Sequence, residues 1–181
     1  EEDEFAKYAI AAANFFSGNQ EKSIYLIQSL IDMYPTNPYY HEFLGEIYYF
    51  QGDYTEALKK QKTAMSILSK DSDLHLMILG TYLLAESSNE SIIESIKVLN
   101  KSLFLNKYNS YSWYLLAKAY ALSDNLPLAQ YASAERYYLN GDRPLALEFA
   151  KKAIKNIDKN TVEWYRTNDL IELILGIDEK D

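Results

Sequence analysis

Residues 38–57 have the sequence PYYHEFLGEIYYFQGDYTEA, in which two stretches of mixed apolar and polar residues meet at Gly52-Asp53-Tyr54. Glycine followed by a capping residue is typical of the turn between two paired helices. The same kind of turn stands 34 residues earlier, at Gly18-Asn19-Gln20. A fixed period of this length predicts an array of repeated helical hairpins.

The repeat has a recognisable register. In a 34-residue unit that begins at Pro38, large and small residues occupy positions 4, 7, 8, 11, 20 and 27, namely His41, Leu44, Gly45, Tyr48, Ala57 and Ala64. This pattern resembles the tetratricopeptide repeat. The resemblance implies an all-α, right-handed superhelical solenoid in which the first helices of the units line a concave groove, and roughly eleven helices are expected.

The register predicts a single array over residues 1–181. Its units lie near residues 4–37, 38–71, 72–109, 110–143 and 127–160, with a capping helix at 161–175. The last two full units share one helix, because the turn Asn140-Gly141-Asp142 follows after only half a period. The third unit needs four extra residues, which we expect in its turn around Glu86-Ser87-Ser88-Asn89.

The composition disfavours several classes of function. The 181 residues are 48% hydrophobic, enough for a continuous core, and the net charge of −8 disfavours binding to nucleic acid or anionic lipid. The chain has no cysteine, so thiolate metal sites and disulfides are absent. No stretch approaches the ~20 apolar residues of a membrane span, so direct membrane insertion is not expected. The acidic start, Glu1-Glu2-Asp3-Glu4, suggests a piece of a longer protein.

Catalytic, metal and cofactor sites are not predicted. The segment from His41 to Gly45 begins like the zinc-peptidase motif H-E-x-x-H, but Gly45 stands where the second histidine should be. The other histidine, His75, lies one repeat after His41, so both are expected to pack between hairpins. No phosphate-binding or nucleophile motif occurs, and hydrolysis by groove carboxylates such as Glu42 is the weakest of the functional hypotheses.

Partner binding is expected on the groove face of the first helices, at positions 2, 5, 9 and 12 of each unit. Tyrosine is enriched there, and its large ring and single hydroxyl suit a surface that binds polypeptides. The alternative is that several of these rings pack within the array. The predicted groove residues are Tyr8, Tyr39, Glu42, Glu46, Tyr49, Tyr111, Tyr114, Lys118, Tyr131, Glu135 and Tyr138, with Phe5 and Phe15 from the first unit and Asp73, Leu76 and Leu83 from the third.

Particular segments extend the resemblance: Asn37-Pro38-Tyr39-Tyr40-His41-Glu42, Ala134-Glu135 before Asn140-Gly141-Asp142, and Glu163-Trp164-Tyr165-Arg166 with Asp169. Together they resemble the C-terminal repeats of bacterial zinc metallopeptidases related to the β-barrel assembly-enhancing protease.

The resemblance implies a non-catalytic module of a periplasmic or cell-envelope protease, with substrates or outer-membrane assembly components as partners. The alternative is a free-standing scaffold or an assembly or secretion chaperone, for which a cytoplasmic location stays open. Self-association through the groove or the ends of the array is a further expectation.

Overall fold

The computed structural model describes residues 2–178, and these residues form ten α-helices. They are α1 (Glu2–Phe16), α2 (Gln20–Met33), α3 (Pro38–Gln51), α4 (Tyr54–Ile67), α5 (Asp73–Glu86), α6 (Asn89–Leu105), α7 (Ser110–Leu122), α8 (Leu126–Leu139), α9 (Arg143–Ala153) and α10 (Val162–Asp178). The predicted all-α class is therefore confirmed. The expected count of roughly eleven is one too high within residues 2–178. The predicted units themselves amount to ten helices, because the last two full units share one helix, and α8 does pack against both α7 and α9.

The helices belong to two compact units. The first unit contains α1 to α5 and ends at Glu86; the second begins at Ser87 and contains α6 to α10. In the first unit, an apolar core that includes Ile27, Leu30 and Leu44 joins α1, α2 and α3. In the second unit, small residues of α8 and α9 pack around Leu170 and Ile174 of α10.

Five short turns of two or three residues between consecutive helices in residues 2–178 share one local conformation. A residue with positive φ ends the first helix, and the next residue caps the second helix by accepting a backbone hydrogen bond. The pairs are Gly18-Asn19, Gly52-Asp53, Ser87-Ser88, Asp124-Asn125 and Gly141-Asp142. Glycine takes the left-handed conformation at three of the five places, whereas Ser87 and Asp124 adopt it at φ of 60° and 57°.

The extra residues of the third unit are not in its turn, contrary to the sequence prediction. Two residues separate α5 from α6, as two separate α3 from α4. Instead α6 has 17 residues where α4 has 14. A helix absorbs added residues without leaving backbone groups unpaired, which a longer turn would do.

Close packing within the hairpins depends on small residues at the predicted positions. A Cβ added to Gly45 would lie 3.2 Å from the backbone oxygen of Ala57, so α3 and α4 approach too closely for a larger residue. Ser95 and Ser102 replace alanine in the third unit and are fully buried. Their hydroxyls are satisfied, because Ser95 donates to the Ile92 carbonyl at 2.7 Å and Ser102 pairs with Ser112 at 3.1 Å.

Candidate functional site

A cleft of about 280 Å³ opens in the first unit between α3 and α5. It is lined by Glu42, Glu46, Tyr49, Phe50, Ile78, Thr81 and Tyr82, and we call it the acidic cleft. Glu42 and Glu46 lie one turn apart on α3, so both carboxylates face the same side of the helix. The rings of Tyr49 and Tyr82 stack at 4.8 Å between centroids and 20° between planes, which joins the two helices at the end of the cleft.

The acidic cleft carries uncompensated negative charge. Burial raises the pKa of the Glu46 carboxyl, and the neighbouring Glu42 charge raises it further. Burial and the same two carboxylates also raise the pKa of the Tyr82 and Tyr8 hydroxyls. Nε2 of His75 lies 3.6 Å from the Glu42 carboxylate, whereas no described residue forms an ion pair or hydrogen bond with Glu46.

A second cleft, of about 310 Å³, opens in the second unit among α7, α8 and α10 and the connection before α7. It is lined by Lys107, Tyr108, Trp113, Glu135, Tyr138, Leu139, Arg166, Asp169, Leu170 and Leu173, and we call it the mixed cleft. Its floor is rigid because Trp113 is only 3% exposed, donates its indole N–H to the Lys107 carbonyl at 2.8 Å, and meets the Tyr131 ring edge-on at 5.5 Å.

The charges that line the mixed cleft balance in number. Burial raises the pKa of the Glu135 carboxyl, but the positive charges of Arg166 and Lys107 oppose that shift. Arg166 also donates a hydrogen bond to the Tyr131 hydroxyl, which raises the pKa of the guanidinium. Two cations thus face two carboxylates, Glu135 and Asp169, and the cleft has no net charge of its own.

The structure brings some predicted groove residues together and leaves others apart. Glu42, Glu46 and Tyr49 share the acidic cleft, and Glu135 and Tyr138 share the mixed cleft. Several others lie outside the two clefts. Tyr8 packs on Tyr40 and Phe43, Tyr39 is exposed beside the α2–α3 connection, and Lys118 is exposed. Tyr111 and Tyr114 stack on each other, and Arg136 lies 4.8 Å from the Tyr114 ring.

Three predicted groove residues are core residues instead. Tyr131 is 3% exposed, because its ring packs against Trp113 and only its hydroxyl reaches Arg166. Leu76 and Leu83 are also buried. Helix α5 is apolar around almost its whole circumference, so its sequence does not distinguish a groove face from a core face.

Of the ten residues that line the mixed cleft, sequence reasoning predicted only Glu135 and Tyr138. Asp169 occupies position 9 of the final unit, counted from Thr161, so extending the groove register to α10 would have found it. Trp113 stands at position 4 of the fourth unit, which is not a groove position. Arg166 and Lys107 follow no groove position, and no sequence signal links them to Glu135; only the fold brings these three charges together.

The helical hairpins, the 34-residue spacing of Gly18 and Gly52, and the close approach at Gly45 define a tetratricopeptide-repeat fold. The chain is related to the repeat region of the β-barrel assembly-enhancing protease. It is 25% identical to that protein from Escherichia coli strain K12 over 175 residues, which cover 97% of this chain and 35% of the relative. The chain thus spans about a third of the curated relative's length. No family model matches the chain.

Solved structures agree on the fold. The MamA fragment 41-end from Desulfovibrio magneticus RS-1 matches with a TM-score of 0.71 at 14% identity, covering 100% of this chain and 98% of that one. YrrB, described as a TPR protein with an unusual peptide-binding site, matches with a TM-score of 0.57 at 16% identity over 90% of each chain. Among residues 2–178, no helix has both the length and the apolar character needed to cross a membrane.

Proposed function

We propose that the chain binds polypeptide segments in its clefts and acts as the non-catalytic, partner-engaging part of a cell-envelope zinc metalloprotease. The repeat fold is that of a protein-interaction module, and the relation to the β-barrel assembly-enhancing protease supports the protease context. The same relation supports a periplasmic location and, as partners, protease substrates or outer-membrane assembly components.

One observation carries the binding proposal. Residues at the predicted groove positions line two open clefts, each of a size that suits a side chain. Glu42, Glu46 and Tyr49 meet in one cleft, and Glu135 and Tyr138 meet in another. Each cleft has aromatic walls with charged groups at its edge, which is the composition of sites that anchor peptide side chains. YrrB, which shares the fold, is a peptide-binding protein by its description, and this supports the same role here.

Photo-crosslinking tests the binding proposal. A photoreactive phenylalanine replaces Phe50 in the acidic cleft or Tyr108 in the mixed cleft, both of which are well exposed at 61% and 71%. The matched control places it at Tyr25 of α2, which is 73% exposed and lines neither cleft. After irradiation in bacterial envelope extract, we expect adducts at positions 50 and 108 and none at position 25. Equal labelling at all three positions would contradict specific binding in the clefts.

The protease context has its own test. The full reading frame that contains this chain should encode an H-E-x-x-H segment and an export signal before residue 1. A reading frame with neither would favour the free-standing scaffold or chaperone, and peptide binding in the clefts would then stand without the protease.

A further inference from the structure

We propose that the acidic cleft of the first unit selects a lysine or arginine side chain of the bound polypeptide. This inference rests on the proposed function, because it names the chemistry of the residue that a peptide-binding chain would anchor there.

The charge of the cleft supports a cationic ligand. Glu46 has no basic partner among the described residues, and Glu42 has only the imidazole of His75, at 3.6 Å. A partly buried carboxylate without a counter-charge is costly in the free protein, and a cation from outside can remove that cost. An anionic side chain would instead meet two carboxylates on one helix face, where like charges repel.

The walls of the cleft suit the stem and head of such a side chain. Tyr82 is 5% exposed and is held by its stack on Tyr49, so the aromatic wall is preformed. Phe50 is 61% exposed at the rim and meets Tyr49 edge-on at 5.6 Å. Aromatic faces attract ammonium and guanidinium groups, and the methylene stem of lysine or arginine can cover apolar surface such as Ile78.

The size of the cleft limits the ligand to one side chain. Pockets for small molecules have volumes of ~300–1,000 Å³, so a cleft of about 280 Å³ stands at the lower end. Its opening between α3 and α5 leaves the rest of a peptide outside. A single anchored side chain on an extended segment therefore fits better than a free metabolite.

The mixed cleft provides the contrast within the same chain. There the buried carboxylate, Glu135, already faces Arg166 and Lys107. A cationic ligand at the mixed cleft would meet two resident cations as well as the carboxylates. Preference for lysine or arginine is therefore expected from the acidic cleft alone.

The test uses fluorescein-labelled nonapeptide pools whose central residue is lysine, arginine, norleucine or glutamate, with the other positions an equal mixture of uncharged residues. Fluorescence polarisation measures their affinity for the 181-residue chain and for three variants. Glu46→Gln and Phe50→Ala change the acidic cleft, and Glu21→Gln removes the same charge from an exposed site on α2. Circular dichroism confirms equal helicity before binding is measured.

We expect the lysine and arginine pools to bind about tenfold more tightly than the norleucine pool, a preference that Glu46→Gln abolishes and Glu21→Gln leaves intact. Phe50→Ala should weaken the same pools. Equal binding of the lysine and norleucine pools would overturn the inference while leaving peptide binding in place. Failure of every pool to bind would overturn the inference and the proposed function together.

Discussion

The two clefts are built from similar residues but differ in how their carboxylates are compensated. In the acidic cleft Glu46 has no counter-charge among the described residues, whereas in the mixed cleft Glu135 faces Arg166 and Lys107. Their aromatic walls are alike in exposure: the acidic cleft has the buried Tyr82 (5% exposed) and the exposed Phe50 (61%), and the mixed cleft has the buried Trp113 (3%) and the exposed Tyr108 (71%). One cleft keeps its carboxylate available to a ligand, whereas in the other the carboxylate already has cations of the chain nearby. Similar composition therefore does not imply similar function.

Replacing aromatic residues of the two clefts should have the largest effect, because it separates rings that support the fold from rings that are available to a ligand. Trp113→Ala removes a buried ring and an indole hydrogen bond, and we expect it to lower the free energy of unfolding by about 3–4 kcal/mol in urea denaturation. Phe50→Ala in the acidic cleft should change it by less than about 0.5 kcal/mol, as expected for an exposed residue. The exposed Tyr108→Ala is the control for the mixed cleft. Equal decreases in the free energy of unfolding for Trp113→Ala and Phe50→Ala would contradict the distinction between a ring that supports the fold and a ring that is available to a ligand.

Disturbing the close approach of α3 and α4 in the first unit should have the next largest effect on stability. Gly45→Ala places a Cβ 3.2 Å from the Ala57 carbonyl oxygen and 3.3 Å from the Lys60 Cβ, so α3 must shift away from α4. We expect the free energy of unfolding, measured by thermal denaturation, to fall by about 1–2 kcal/mol. The matched control is Gly176→Ala in α10, where a Cβ meets nothing within 4 Å, and stability should be unchanged or higher. Parallel behaviour of the two variants would argue against tight packing at Gly45.

Removing one charge from each cleft should have opposite consequences. Arg166→Met leaves Glu135 with less compensation and removes the hydrogen bond to Tyr131, so we expect a loss of about 1 kcal/mol, limited by solvent exposure of the guanidinium. Glu46→Gln removes a carboxylate that nothing compensates, and stability should be unchanged or higher. Adding Glu135→Gln to Arg166→Met should recover part of the loss. A loss of stability in Glu46→Gln would show that Glu46 has a stabilising partner after all.

The smallest effect is a pH dependence. The pKa of Glu46 is raised in the folded chain, so the folded state holds its proton to higher pH than the unfolded state. Wild-type stability should therefore fall, relative to Glu46→Gln, as pH rises from below the unfolded pKa through the folded pKa. Urea denaturation of both proteins at pH 4 and pH 7 measures this difference. A difference that stays constant, or that changes in the opposite direction, would contradict the burial of an uncompensated carboxylate.

The sequence predicted the fold better than it predicted the clefts. Period, turns and small residues such as Gly45 and Ala57 are local or strictly periodic signals, so the tetratricopeptide class could be predicted without coordinates. Glu42, Glu46 and Tyr49 were also found, because they repeat on one face of one helix. The prediction that Tyr131 faces the groove was wrong because groove numbering does not measure burial. Arg166 and Lys107 were missed because their approach to Glu135 depends on the packing of three helices and a connection.

The central claim is that an uncompensated carboxylate makes the acidic cleft select a basic side chain. Charge reversal tests it most directly, by measuring the affinity of the wild-type chain and of Glu46→Lys for nonapeptide pools with central lysine or central glutamate. We expect wild type to prefer the lysine pool by about tenfold and Glu46→Lys, once shown to be equally helical, to lose or invert that preference. The same preference in both proteins would contradict the claim.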